Sequence, residues 1–141
     1  MIPITCIEET SDPKIKLEER GSKVIFLNEV RHPFRKIKVD GCVVQNQTAA
    51  DWVVSKPPVG DLVLELKGRN VDHAIEQVTT TLRLWRSNNW CCGGQTAALI
   101  VSRQVPKGTL AQKAMKEFRR EFGSKIKLVS HNQEFEFADL F

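Results

Sequence analysis

Apolar residues recur along this chain with two spacings, one typical of helices and the other typical of strands. Residues 71–87 carry apolar side chains at alternating steps of four and three, which places them on one face of a helix. A second stripe of this kind predicts a helix over residues 111–122, which ends before Gly123. A shorter helix is predicted over residues 14–20, with Gly21 as its stop signal.

Strands are predicted where apolar residues alternate with polar ones or form short runs between turn residues. They cover residues 23–30, 36–44, 49–54, 61–67, 96–101 and 125–129, with a further short strand expected at 134–137. The run at 61–67 is apolar except at its ends, as in a strand covered on both faces. Strands that alternate with helices indicate an α/β fold with a central mixed β-sheet flanked by helices. The length of 141 residues suits a single domain over residues 1–141.

Charged residues near the strand ends are the strongest candidates for a functional site. Glu65 and Lys67 lie two positions apart at the end of an apolar strand, so both point to one face. Asp51 comes 14 residues before Glu65, a separation that suits a hairpin with a loop at Pro57-Pro58. Charges are costly to bury without a purpose. We therefore expect Asp51 and Glu65 to meet at one edge of the sheet, with Lys67 beside them.

Two adjacent carboxylates form a hard-oxygen site that suits Mg²⁺, with Mn²⁺ as a possible substitute and waters at the other positions. The main-chain carbonyl of Leu66 is a candidate further ligand. A metal ion here would lower the pKa of a bound water and neutralise charge on a phosphate. Lys67 would orient the attacking water or stabilise the developing oxyanion. The predicted chemistry is metal-dependent hydrolysis of phosphodiesters.

The order of these residues resembles that of a known family. Asp51, then Glu65-Leu66-Lys67 on the next strand, and then a helix are similar to the motif of the PD-(D/E)XK nuclease superfamily. That group includes many restriction endonucleases, the archaeal Holliday-junction resolvases and DNA-repair exonucleases. The resemblance implies a restriction-endonuclease-like core, an α-β-β-β-α-β arrangement, over about residues 14–102. It also implies metal ligation by Asp51 and Glu65 and a catalytic role for Lys67.

The same resemblance draws further residues into the site. Some branches carry a glutamine on the helix after the lysine, here Gln77, and often a tyrosine four residues later, where this chain has Thr81. Gln77 lies toward the polar side of the helix, so it reaches the site only if the site lies beside the helix. The early helix of the family often supplies another acid, for which Glu18 and Glu19 are candidates. The residue before Asp51 is alanine, where the family motif has proline.

Ordinary structural roles compete with these functional ones. Glu65 and Lys67 would also suit a surface ion pair, and Asp51 would suit a turn. Asp40 and Asp61 compete for the metal role. Both rank below Asp51, because the sequence around Asp40 indicates a turn or bulge and Asp61 follows a glycine at a strand start.

Composition and charge limit the partners only mildly. Lys and Arg number 21 against 17 for Asp and Glu, and the resulting charge of +4 permits DNA binding without requiring it. Candidate phosphate contacts on and around the two long helices are Arg69, Arg83, Arg86, Lys107, Lys113, Lys116, Arg119, Arg120 and Lys125. No apolar run reaches the roughly 18 residues of a membrane helix. The N-terminus also lacks signal-peptide features, so we expect a cytoplasmic protein with no membrane partner.

The four cysteines, Cys6, Cys42, Cys91 and Cys92, are expected to be reduced thiols packed as small apolar side chains. Disulfides would fit a secreted chain, and a zinc site would need Cys-x2-4-Cys pairs. The sequence leaves the role of the adjacent Cys91 and Cys92 open.

These features together predict a Mg²⁺-dependent endo- or exodeoxyribonuclease. One alternative is a catalytically inactive module of the same fold that binds nucleic acid or protein. Another is a regulatory or inhibitor protein that binds no DNA. Many small nucleases of the superfamily dimerise, so a homodimer is expected. The sequence leaves open RNA as substrate and the preference for duplex, branched or single-stranded structure.

Overall fold

The computed structural model describes residues 1–68, 70–103, 109–130 and 132–141, and of Lys67 and Gly68 it describes the backbone only. The strands are β1 (Ile7–Thr10), β2 (Lys14–Glu19), β3 (Ser22–Leu27), β4 (Phe34–Lys38), β5 (Trp52–Lys56), β6 (Gly60–Gly68), β7 (Gln95–Ser102), β8 (Lys125–Val129) and β9 (Gln133–Phe135). The helices are α1 (Val71–Ser87) and α2 (Thr109–Phe122), and 3-10 turns cover Ile4–Cys6 and Phe137–Leu140.

A six-stranded mixed sheet forms the centre of the fold, in the order β1-β4-β5-β6-β7-β8. The pairs from β1 to β6 are antiparallel, whereas β6, β7 and β8 run parallel. Parallel neighbours need long crossover connections, and α1 and α2 provide them between β6 and β7 and between β7 and β8. The predicted α/β class with a central mixed sheet is confirmed.

Different elements cover the two faces of this sheet. α1 and α2 pack into one core, where Trp85 and Phe118 are fully buried. A three-stranded sheet, β2-β3-β9, supplies Phe26 to a second core that it shares with Leu64 of the central sheet. Helices therefore cover one face and a small sheet covers the other.

The helix predicted over residues 14–20 is wrong, because these residues form β2 and pair with β3 as a hairpin. Ile15 and Leu17 are buried while the lysines between and beside them are exposed, which is the period of a strand. The implied α-β-β-β-α-β arrangement therefore lacks its first helix at this position. The remaining order, β4-β5-β6-α1-β7, is present.

The chain leaves the central sheet earlier than predicted between β4 and β5. The strand predicted over residues 36–44 ends at Lys38, and the chain turns at Gly41, whose φ of 81° suits glycine. β5 begins at Trp52, later than predicted, which places Asp51 just before the strand.

The other elements lie close to their predicted positions. The helix predicted over residues 71–87 matches α1, and the strand predicted over 125–129 matches β8. β6 extends the predicted strand by one residue at each end. In the ranges that the structure describes, no helix has the length and apolarity that crossing a membrane requires.

Cys6 and Cys42 form a disulfide with their Cα atoms 5.8 Å apart, so the expectation of four reduced thiols is wrong for this pair. The two cysteines are 36 residues apart in sequence, and they meet because β1 pairs with β4. Cys91 and Cys92 are free, partly exposed thiols, as predicted for them.

Candidate functional site

Asp51 and Glu65 lie side by side at one end of the β5–β6 hairpin. Trp52 pairs with Leu64 in the antiparallel ladder, so Asp51 and Glu65 are the next cross-strand neighbours. The main-chain N–H of Asp51 donates to Glu65 Oε1 at 3.1 Å, and the N–H of Leu66 donates to Asp51 Oδ2 at 2.8 Å. The structure therefore brings the two acids together, as the hairpin spacing predicts.

Both acids are buried, Asp51 with 8% and Glu65 with 4% of its surface exposed. Burial raises the pKa of the Asp51 carboxyl above its ordinary value, and the negative charge of Glu19 adds to this rise. The pKa is lowered in turn by the hydrogen bond from Leu66, by the side chain of Glu65 and by the charge of Lys38. A buried acid beside a second acid is an arrangement that a bound cation would stabilise.

Of the two early acids, Glu19 is the one whose charge reaches the site. It ends strand β2 and pairs with the ammonium of Lys38 on β4, whereas Glu18 is exposed and pairs with Lys16 at 3.0 Å. Lys38 Nζ also lies 4.9 Å from the centre of the Trp52 ring. Lys38 is not predicted from the sequence, since its position beside the site comes from the pairing of β4 with β5.

Helix α1 holds the two residues that precede Asp51. Gln77 Nε2 donates to the carbonyl of Ala49 at 3.1 Å, and the N–H of Ala50 donates to Thr81 Oγ1 at 2.8 Å. The Thr81 hydroxyl in turn donates to the carbonyl of Gln77 at 2.8 Å. Gln77 thus contacts the main chain two residues before Asp51, and its predicted catalytic role stays a prediction. The contact of Thr81 is not predicted from the sequence, although its spacing of four from Gln77 places both on one side of the helix.

The predicted role of Lys67 remains a prediction. Its backbone continues β6 after Leu66, and its side chain lies outside the part of the chain that the structure describes. β6 shifts its register against β7 between Glu65 and Gly68. The N–H of Leu66 donates to Asp51. The role of the Leu66 carbonyl as a metal ligand also stays a prediction.

The acid pair fits a magnesium ion with two protein ligands. Among the described residues, no group of three or more His, Cys, Asp and Glu side chains forms a metal site. Mg²⁺ is commonly held by one or two carboxylates, with waters and substrate phosphates at its other positions. Asp51 and Glu65 meet that requirement.

Asp61, which competes for the metal role in the sequence, makes hydrogen bonds at the other end of β6. It is 1% exposed and accepts hydrogen bonds from the Ser55 hydroxyl and, at 2.8 Å, from the N–H of Cys92. Glu65 lies four positions further along the strand, a distance of roughly 13 Å. Asp61 therefore anchors the loop that contains Cys91 and Cys92.

An Asp61→Asn variant is expected to move thiol alkylation of this loop to lower pH. Burial raises the pKa of the Cys91 and Cys92 thiols, and the negative charge of Asp61 raises it further. Removing that charge lowers both pKa values and increases the reactive thiolate at a given pH. The rate of iodoacetamide labelling against pH measures the change. An unchanged midpoint would contradict the electrostatic effect of Asp61, and Asp12→Asn is the matched control.

Some of the candidate phosphate-binding residues make hydrogen bonds to other residues of the chain. Arg83 makes two hydrogen bonds to Glu121, at 2.6 and 2.7 Å, and Arg86 donates to the carbonyl of Phe122 at 2.7 Å. Arg69 and Lys107 lie outside the described residues. The exposed candidates are Lys113, Lys116, Arg119, Arg120 and Lys125.

No protein-family model, curated protein or solved structure matches this chain. The resemblance to the PD-(D/E)XK superfamily thus depends on the sequence motif. The geometry of the acid pair is a separate observation.

Proposed function

We propose that this protein is a metal-dependent nuclease of the PD-(D/E)XK type that hydrolyses phosphodiester bonds in DNA. The observation that carries the proposal is the buried pair of Asp51, just before β5, and Glu65 on β6, in which the N–H of Asp51 donates to the Glu65 carboxylate. The lysine of the motif, Lys67, follows on the same strand. The order β4-β5-β6-α1-β7 supports a restriction-endonuclease-like core.

Asp51 and Glu65 would hold Mg²⁺, or Mn²⁺ in its place. When bound, the ion would supply charge neutralisation at the phosphate and a water of lowered pKa. The N–H of Leu66 orients the Asp51 carboxylate through its hydrogen bond. Lys67 would stabilise the negative charge that develops on the phosphate oxygens or orient the attacking water.

The fixed backbone before Asp51 supports this role. Gln77 and Thr81 bind the main chain of Ala49 and Ala50, so helix α1 limits the movement of the residue that carries the acid. Catalytic groups act best when their supporting contacts hold them in the productive geometry. We therefore assign Gln77 and Thr81 to positioning.

A plasmid assay tests the proposal. Wild-type protein is expected to nick or linearise DNA with Mg²⁺ or Mn²⁺ and to be inactive in EDTA. A Lys67→Met variant is expected to lose activity by about 10²-fold or more, as when one charge-stabilising group is removed from other hydrolases. Lys16→Met, on the small sheet, is the matched control. Metal-independent cleavage, or an unchanged Lys67→Met variant, would contradict the proposed chemistry.

The same samples distinguish the alternatives. DNA binding without cleavage in any metal would favour the inactive binding module. The absence of a gel shift at low salt would favour a regulator that binds another protein. The expected homodimer is measured by static light scattering, where a monomer at high concentration would contradict it.

A further inference from the structure

A polar groove of about 650 Å³ opens between the chain that leads to Asp51 and helix α1, with Ala49 in its lining. One wall is the loop between β4 and β5, with Gln45, Asn46 and Gln47, and the other wall is formed by His73 and Gln77 of α1. The groove and the site share the hydrogen bond from Gln77 to the carbonyl two residues before Asp51. A molecule in the groove would therefore lie next to a phosphate held at the acids.

The lining suits a neutral partner rich in hydrogen-bonding groups. Gln45, Asn46 and Gln47 are exposed, and each offers an amide donor and an amide acceptor. No hydrogen bond within the described residues engages these three side chains. Asp40 also lines the groove and would repel a phosphate. Nucleobases are neutral, and side-chain amides pair with the donors and acceptors on their edges.

The turn over residues 39–44, which leads into the loop wall, is braced by main-chain hydrogen bonds and a disulfide. The N–H of Gly41 donates to the carbonyl of Val44 at 2.8 Å, and the N–H of Cys42 donates to that of Val39 at 3.1 Å. The disulfide ties Cys42 to the N-terminal segment. A braced turn limits the movement of the wall at its start and so lowers the entropic cost of binding.

The size of the groove and its two walls favour one form of DNA over another. Proteins that read the bases of a duplex insert a protruding helix or a pair of strands into its major groove. A groove of this volume, within the range of about 300–1,000 Å³ typical of small-ligand sites, instead takes in a single base. Such a base must be unpaired, as in single-stranded or locally opened DNA.

We propose that this groove binds one unpaired base beside the scissile phosphate and that Gln45, Asn46 and Gln47 select it by its edge. The inference rests on the proposed nuclease function and names its substrate class, DNA with unpaired nucleotides at the cleavage site. The loop is then the specificity-determining segment.

Binding in EDTA tests the groove separately from cleavage. Fluorescent oligo-dA, oligo-dC, oligo-dG, oligo-dT and a duplex are titrated with non-reduced protein, and anisotropy gives each Kd. One single strand is expected to bind about 10-fold more tightly than another, within the range that one paired base edge provides. Gln45→Ala and Gln47→Ala are expected to reduce that preference, whereas Gln112→Ala on the exposed side of α2 leaves it unchanged.

The outcomes separate the two proposals. Base-selective binding that depends on Gln45 and Gln47 supports the groove even if no metal promotes cleavage, in which case only the nuclease proposal fails. Equal Kd values for the four single strands, tighter binding of the duplex, or an unchanged preference in both variants would overturn the groove assignment, with cleavage unaffected.

Discussion

An Asp51→Asn variant is expected to lose metal-dependent DNA cleavage by about 10³-fold or more while retaining the fold. Asparagine keeps a side-chain oxygen that accepts the hydrogen bond from the N–H of Leu66, now 2.8 Å from Asp51 Oδ2. It removes the negative charge that would hold the cation. The initial rate of plasmid cleavage in Mg²⁺ measures the loss.

The same substitution is expected to raise the free energy of unfolding of the metal-free protein. Burial raises the pKa of Asp51, so the folded state favours the neutral carboxyl more than the unfolded state does. Stability from this group is therefore lost as pH rises through the folded-state pKa, and at neutral pH the charge is a cost. Asparagine removes that cost. Urea unfolding in EDTA at neutral pH measures the change.

Activity and stability that move in opposite directions distinguish a functional acid from a structural one. Replacing an acid that only stabilises the fold would lower both the cleavage activity and the free energy of unfolding. Asp12→Asn, an exposed acid far along the chain from the site, is the matched control and should change neither. Wild-type cleavage by Asp51→Asn would refute the metal-binding role.

The sequence predicts the acid pair because its geometry is local. A hairpin with its loop at Pro57-Pro58 brings Asp51 opposite Glu65, and the apolar run between them identifies the strand. The surroundings of the pair are not local. Glu19 and Lys38 come from β2 and β4, and only the packed sheets place their charges near Asp51.

The incorrect helix prediction at residues 14–20 arises because the same residue types are compatible with a helix and with a strand. Lysine and glutamate favour helices, and Gly21 resembles a helix stop. In the structure, Arg20 and Gly21 have φ values of 47° and 87°, and they form a two-residue hairpin turn between Glu19 and Ser22. A type I′ hairpin turn needs positive φ at both of its central positions. The apolar residues Ile15 and Leu17 alternate with polar ones, which is the pattern of a strand, and both are buried in the structure. Burial in the tertiary structure outweighs the helix propensity of the lysines and glutamates.

Breaking the Cys6–Cys42 disulfide is expected to lower the free energy of unfolding by about 4 kcal/mol, from the loop-closure entropy of a 36-residue separation. The bond holds the start of β1, an edge strand that pairs with β4 in the sheet. Its loss releases that strand and the loop that follows β4. Urea unfolding with and without dithiothreitol measures the difference. A Cys6→Ser/Cys42→Ser double variant should show the reduced stability in both conditions.

The two free cysteines provide the control for this experiment. A Cys91→Ser/Cys92→Ser variant should keep the full response to dithiothreitol, because those thiols form no disulfide. Thiol titration of the unfolded protein should find two groups before reduction and four after it. If dithiothreitol leaves the free energy of unfolding of the wild-type protein unchanged, the stabilising role of the disulfide is contradicted. Disulfides are rare in the reducing cytosol, so a bond that the protein needs for stability would favour an oxidising compartment over the cytoplasmic location that the sequence predicts.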